Sequence, residues 1–79
     1  MTDMPTADKT IDCREMQCPM PILKAKKEIL KIKIGETLEV LSNDSGSKED
    51  FPRWAKRTGN EFIGVFEDED THYFIKRLV

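Results

Sequence analysis

The sequence predicts a two-layer α/β (α+β) sandwich in the order β-α-β-α-β-β, a four-stranded mixed sheet with two helices on one face. Three observations lead there. Two stretches repeat apolar residues at helical spacing, Ile22 to Leu30 and Phe51 to Thr58. Short runs rich in β-branched and aromatic residues separate and follow them. Connections of parallel strands through helices are right-handed, so both helices fall on the same side of the sheet.

Residues 1–8, MTDMPTAD, are small and polar and are expected to form a loose tail, which leaves 9–79 as a single domain. Lys9 to Cys13 reads as a short strand with Ile11 pointing inward, and Arg14 to Gln17 as its connection. From Pro21 onward, Ile22, Leu23, Ala25, Ile29 and Leu30 alternate with Lys24, Lys27 and Lys31, which predicts an amphipathic helix to about Lys33, stopped by Gly35. Thr37 to Ser42 is the second strand, with Leu38 and Val40 on one face, and Asn43-Asp44-Ser45-Gly46 has turn chemistry. Phe51, Trp54, Ala55 and Thr58 mark a second helix, begun between Ser47 and Asp50 so that Pro52 sits in its first turn, and closed by Gly59. Trp54 belongs to the core on this spacing. Glu61 to Glu67 and Thr71 to Leu78 form a hairpin across the acidic turn Asp68 to Asp70, whose charges keep the tip soluble. These last strands carry apolar residues at both parities. One set must lie on the face away from the helices, either as a docking patch or covered by twist and the tail.

Composition narrows the function classes. The chain has 79 residues, 35% charged and 38% hydrophobic, with a net charge of −2. No apolar run approaches the roughly 20 residues of a membrane span, so no membrane association is expected. The start has neither the basic nor the apolar segment of a signal peptide, and the expected compartment is the cytoplasm. In such a reducing compartment, two cysteines point to catalysis, redox chemistry or metal binding before a structural disulfide. Cys13, Cys18 and the single His72 are too few to close a zinc site. His72 reads as an exposed strand residue remote from Cys18.

The chemistry concentrates in DCREMQCPMP, residues 12–21. Pro19 biases Cys18 away from helical geometry, and Pro21 does the same to Met20. Met20 is then the cap and Pro21 the first helical residue. The thiol is placed just outside a helix N-terminus, where unpaired N–H groups and the helix dipole favour a thiolate. Lys24 and Lys27, within two turns, and Arg14 in the preceding loop add positive potential. A rigid, exposed, acidic thiol suits taking up a sulfane sulfur as a persulfide and passing it on. The alternative is a buried cysteine whose prolines only start the helix. Cys13 is either a resolving thiol for Cys18 or a half-buried residue ending its strand.

These residues resemble the TusA/SirA/YedF family of small sulfur-carrier proteins. The resemblance lies in Ile11-Asp12 followed by Cys18-Pro19-Met20-Pro21, then Gly35-Glu36-Thr37-Leu38, Asp50-Phe51-Pro52-Arg53-Trp54-Ala55 and Thr58-Gly59. It implies the same β-α-β-α-β-β fold, akin to the C-terminal domain of translation initiation factor three. It also implies a cytoplasmic carrier that holds a persulfide on Cys18 and needs no cofactor beyond it. Its partners would be a sulfur donor, either a cysteine desulfurase or a rhodanese-like protein, and a sulfur-acceptor protein serving tRNA thiolation, molybdenum-cofactor assembly or sulfur oxidation. Pro19, Pro21, Asp12, Arg14 and Cys13 are the supporting residues, and Lys24, Lys27 and Lys31 a candidate partner-binding face. The chain departs from the family at Glu15, where Gly is frequent, and at Asn60, where His is frequent. Two other readings stay open: a regulatory or binding module without sulfur chemistry, and a Cys13/Cys18 dithiol redox protein.

Overall fold

The computed structural model describes residues 5–17 and 20–79. Residues 1–4, half of the expected tail, and Cys18 and Pro19 lie outside the described residues. The elements are β1 (Lys9–Asp12), α1 (Met20–Ile29), β2 (Thr37–Leu41), α2 (Ser47–Thr58), β3 (Glu61–Glu67) and β4 (Thr71–Lys76). They form a four-stranded sheet in the order β1-β2-β4-β3. β1 runs parallel to β2, and β4 is antiparallel to both β2 and β3. The sheet is therefore mixed, as the sequence predicts.

Alternation along β4 sorts the two faces. Tyr73 stacks on Phe51 of α2 with ring centroids 4.8 Å apart, so Tyr73 and Ile75 face the helices. They join Ile11, Leu38, Val40, Ala25, Ile29, Phe51, Trp54 and Ala55 in one core, with Trp54 edge-on to Phe51 at 6.2 Å. Both helices thus cover the same face, and Trp54 is a core residue.

Phe74, His72, Glu39 and Leu41 lie on the other face. Phe74 is only 1% exposed there. Phe66 meets it edge-on at 5.4 Å. The ring of Phe66 also reaches over Gly64, coming within 3.6 Å of where a Cβ would stand. The apolar residues on the open face therefore seal one another in large part. A bulge between Phe62 and Gly64 leaves Ile63 exposed at the sheet edge.

The first helix is shorter than its periodicity suggests. It ends at Ile29, not near Lys33, and Met20 is its first residue and not its cap. The reason is tertiary. The Arg77 guanidinium donates to the carbonyl oxygens of Leu30 (3.3 Å) and Ile32 (2.5 Å), and Lys33 N–H donates to Glu36 Oε1 (2.7 Å). These contacts bend the chain so that Ile32 turns into the core. β4 correspondingly stops at Lys76, because Arg77 N–H donates to Glu36 O and Arg77 O accepts from Gly35 N–H. Gly35 takes φ +94° in this turn, a conformation that costs glycine little.

The second helix starts at Ser47, which puts Pro52 in its second turn, not its first. The start is set by the preceding turn, where Ser47 N–H donates to Asp44 O and Gly46 N–H to Asp44 Oδ2. Buried Ser42 and Ser47 share a 2.9 Å hydroxyl contact that joins the end of β2 to the start of α2. At the other end Gly59 adopts the left-handed conformation. Its N–H reaches Lys56 O, and that of Asn60 reaches Ala55 O, a Schellman closure. Asn60 Oδ1 accepts the Leu78 N–H at 2.9 Å, so this position holds down the C-terminal residues. Among the described residues, no helix is long and apolar enough to cross a membrane.

A 79-residue domain has a total stability of about 4–12 kcal/mol, at roughly 0.05–0.15 kcal/mol per residue. Truncating a core phenylalanine costs about 3–5 kcal/mol. Phe51 is fully buried between Tyr73 and Trp54. Phe51→Ala is expected to lower the midpoint of the thermal transition by more than about 10 °C, read by circular dichroism. A melting curve like that of the wild type would contradict this core assignment.

Candidate functional site

The carboxyl ends of β1 and β2 and the amino ends of α1 and α2 meet at one end of the sandwich. Because β4 is antiparallel to β2, the β3–β4 turn comes to the same end. Three connections, residues 13–17, 43–46 and 68–70, are gathered around the start of α1.

The described part of the loop after β1 is fastened at several points. Cys13 N–H donates to Leu41 O at 2.8 Å, continuing the β1–β2 ladder. Met16 N–H donates to Cys13 O at 3.1 Å, and the Met16 side chain packs on the core. Gln17 O accepts the N–H of Met20 at 2.9 Å, which joins the loop to the first residue of α1. Asp12 and Arg14 form a two-pronged pair, with Arg14 Nε to Oδ1 at 2.9 Å and Nη2 to Oδ2 at 2.8 Å. The Arg14 backbone N–H adds a third bond to Asp12 Oδ1 at 3.1 Å. The Arg14 side chain, and then its backbone, pull the Asp12 carboxyl down to about 2.

Of the residues singled out in the sequence, Cys13 and Arg14 share this loop, and Asp12 ends β1 beside it. Pro21 is buried in the first turn of α1. Cys13 is fully buried, beyond the half-buried strand end expected of it. Burial pushes its thiol pKa up, against the nearby charge of Lys24. Lys24 acts on Asp12 as well, so it lies toward the loop. Cys18, the expected nucleophile, and Pro19, expected to support it, lie outside the described residues.

Lys24 and Lys27 flank a shallow depression of about 800 Å³ along α1, lined also by Met16, Met20, Leu23 and Leu30. Met20, Leu23 and Leu30 are each about half exposed or more. The first turn of α1 holds no acidic residue. Lys31 differs from the other two, because it is paired with Glu28 at 2.7 Å; Glu28 in turn binds Lys9 of β1 at 3.1 Å.

Sequence reasoning missed the opposite flank. Asp70, read only as a solubilising turn residue, accepts from Arg14 Nη1 (3.1 Å) and from Asn43 Nδ2 (3.2 Å). No local pattern announces contacts between residues so far apart in the chain. Together with Asp12 and Met16 these side chains line a small cleft of about 370 Å³ beside the loop.

His72 is not the exposed residue the sequence suggests. Its side chain is 13% exposed, with Nδ1 2.6 Å from Glu39 Oε2 and Nε2 3.0 Å from Asp68 Oδ1. With carboxylates at both nitrogens, only the imidazolium can donate to each. Burial pushes the His72 pKa down, but the hydrogen bonds to Glu39 and Asp68 outweigh it and the net shift is upward.

The arrangement defines a class: a small α+β domain presenting one cysteine-bearing loop at the head of a basic helix. A family profile described as sulfurtransferase TusA matches residues 9–77, and the chain belongs to that family. The sulfur carrier protein TusA of Allochromatium vinosum is 39% identical over 71 residues, covering 89% of this chain and 93% of that protein. YrkF of Bacillus subtilis strain 168 is 40% identical over 75 residues, 94% of this chain, but the chain spans only 40% of YrkF. The crystal structure of a SirA-like protein from Desulfitobacterium hafniense superposes with a TM-score of 0.78, covering 90% of this chain and 99% of that one; at 23% identity the likeness concerns the fold.

The folded-state pKa of His72 lies above the ordinary 6.5, so the proton stabilises the fold fully below that value. This contribution is lost as pH rises through the folded-state pKa. Urea midpoints measured between about pH 5.5 and 8.5 should fall more for the wild type than for His72→Gln. Parallel profiles would show that the two carboxylates do not hold the charged ring.

Proposed function

We propose that this protein is a cytoplasmic sulfur carrier in which Cys18 takes up a sulfane sulfur as a persulfide and delivers it to an acceptor protein. The observation that carries the reading is the position of α1. It begins at Met20, directly after Cys18-Pro19 in the chain, with no acidic residue in its first turn. The positive end of the helix dipole and the first-turn N–H groups favour an anionic sulfur there. Membership of the TusA family supports the same reading.

Loading is a thiol exchange. The Cys18 thiolate attacks the outer sulfur of a donor persulfide, a new S–S bond forms, and the donor departs as a thiolate. Delivery repeats the step with Cys18 as the leaving group. Neither step requires an oxidant, a metal or a further cofactor. A cysteine desulfurase or a rhodanese-like protein is the fitting donor class, and an acceptor protein would link the carrier to tRNA thiolation or to another sulfur-consuming route. Pro19 and Pro21 restrict the backbone around Cys18. Asp12 and Arg14 order the loop before it. Lys24 and Lys27, with Lys31 behind them, give the apolar depression along α1 a basic rim that suits an acidic partner surface.

Cys13 supports the site by packing. Its burial and raised pKa keep it a protonated thiol, which disfavours the dithiol redox reading.

Mass spectrometry after incubation with a persulfide donor tests the carrier. Wild type and Cys13→Ala should each gain one sulfur atom, and Cys18→Ser none. No gain on wild type with any donor would favour a binding module, and loss of the gain in Cys13→Ala would restore the dithiol reading. Lys24→Glu combined with Lys27→Glu should lower kcat/KM for protein-to-protein transfer about tenfold at low salt, chiefly through KM. An unchanged salt dependence would remove the helix from the docking surface.

A further inference from the structure

We propose that Asp70 is a positioning residue for the loop that carries Cys18 and that it acts through Arg14. The inference rests on the carrier reading for its functional meaning, but its geometry stands independently. Asp70 lies in the β3–β4 turn, 56 residues from Arg14 in sequence, and its Oδ2 accepts from Arg14 Nη1 at 3.1 Å. Its Oδ1 accepts from Asn43 Nδ2 at 3.2 Å, and Asn43 Oδ1 accepts the N–H of Thr71 at 3.3 Å. One carboxylate therefore ties together all three connections at this end of the fold. Its aim is set by its own turn, where Asp70 N–H donates to Asp68 Oδ1 at 2.9 Å and Asp68 N–H donates to Asp70 O at 3.0 Å.

The Asp70 side chain is 26% exposed, whereas that of Asp12, the other partner of Arg14, is 56% exposed. The Asp12–Arg14 pair spans only two residues and stiffens the loop locally. The Asp70–Arg14 bond anchors that loop to the sheet hairpin. Arg14 lies four positions before Cys18. Exposed ion pairs add little to global stability, so the effect of this bond falls on local order.

The sign of the effect separates positioning from electrostatics. Removing a nearby carboxylate favours a thiolate and frees the Arg14 charge, so electrostatics alone predicts a faster Cys18. A positioning role predicts a slower one, because the chain leading to Cys18 loses its anchor at Arg14.

The experiment compares wild type, Asp70→Ala, Asp70→Asn, Arg14→Gln and the Asp70→Ala/Arg14→Gln double variant. Two rates are read: exchange of the Met16 and Met20 amides, and sulfur uptake by Cys18 from glutathione persulfide. In Asp70→Ala, both loop amides should exchange about tenfold faster while the Ile75 amide and the thermal midpoint stay unchanged. Uptake should slow several-fold. Asp70→Asn, which keeps an acceptor, should fall between Asp70→Ala and wild type, and the double variant should be no slower than Arg14→Gln alone. Unchanged loop exchange, unchanged or faster uptake, or additive losses would each overturn the proposal. If wild type takes up no sulfur, the carrier reading fails by itself. The rate of Cys18 alkylation by iodoacetamide at neutral pH then serves in place of uptake, with the same slowing expected.

Discussion

The seat of β4 between β2 and β3 is the constraint on which the rest of this structure depends. β2 and β3 run in the same direction on either side of it, and the crossover through α2 steps over the strand that fills the gap. Two consequences follow. β4 contributes Tyr73 and Ile75 to the centre of the core, where Tyr73 stacks on α2. Its antiparallel direction also brings the hairpin turn to the end where both helices begin. Had β4 paired on the outer side of β3, Asp70 would be out of reach of Arg14 and Asn43.

The two faces of the sheet solve their burial differently. The helix face relies on two helices and a continuous apolar cluster. The open face uses an aromatic pair, Phe66 edge-on to Phe74, packed over Gly64, with His72 held between two carboxylates beside them. A half-buried imidazole with an acceptor at each nitrogen is satisfied only when charged. The open face is thereby polar and fastened, even though its strands read as apolar at both parities.

Charge divides the surface around the motif. On one side the exposed lysines of α1 rim an apolar depression. On the other, Asp12, Glu15 and Asp70 surround the single guanidinium of Arg14. The small net charge of the chain hides this division, because a sum over the sequence carries no geometry.

By itself the sequence determined the elements and singled out where the chemistry is expected. Apolar spacing and turn residues depend on local backbone preference, and they gave the element order, both helices on one face, Trp54 in the core and the closure of α2 at Gly59. Cys-Pro-Met-Pro located the candidate site for the same reason: proline restricts its neighbours wherever it stands. The tertiary structure alone decided the strand order, the early end of α1, the complete burial of Cys13, the pairing of His72 with two carboxylates and the reach of Asp70 to the loop. Each of these depends on a partner distant in the chain: Arg77 for the end of α1, Leu41 for Cys13, Glu39 for His72 and Arg14 for Asp70. Such pairings are set by how the layers pack, and no local pattern of residues encodes them.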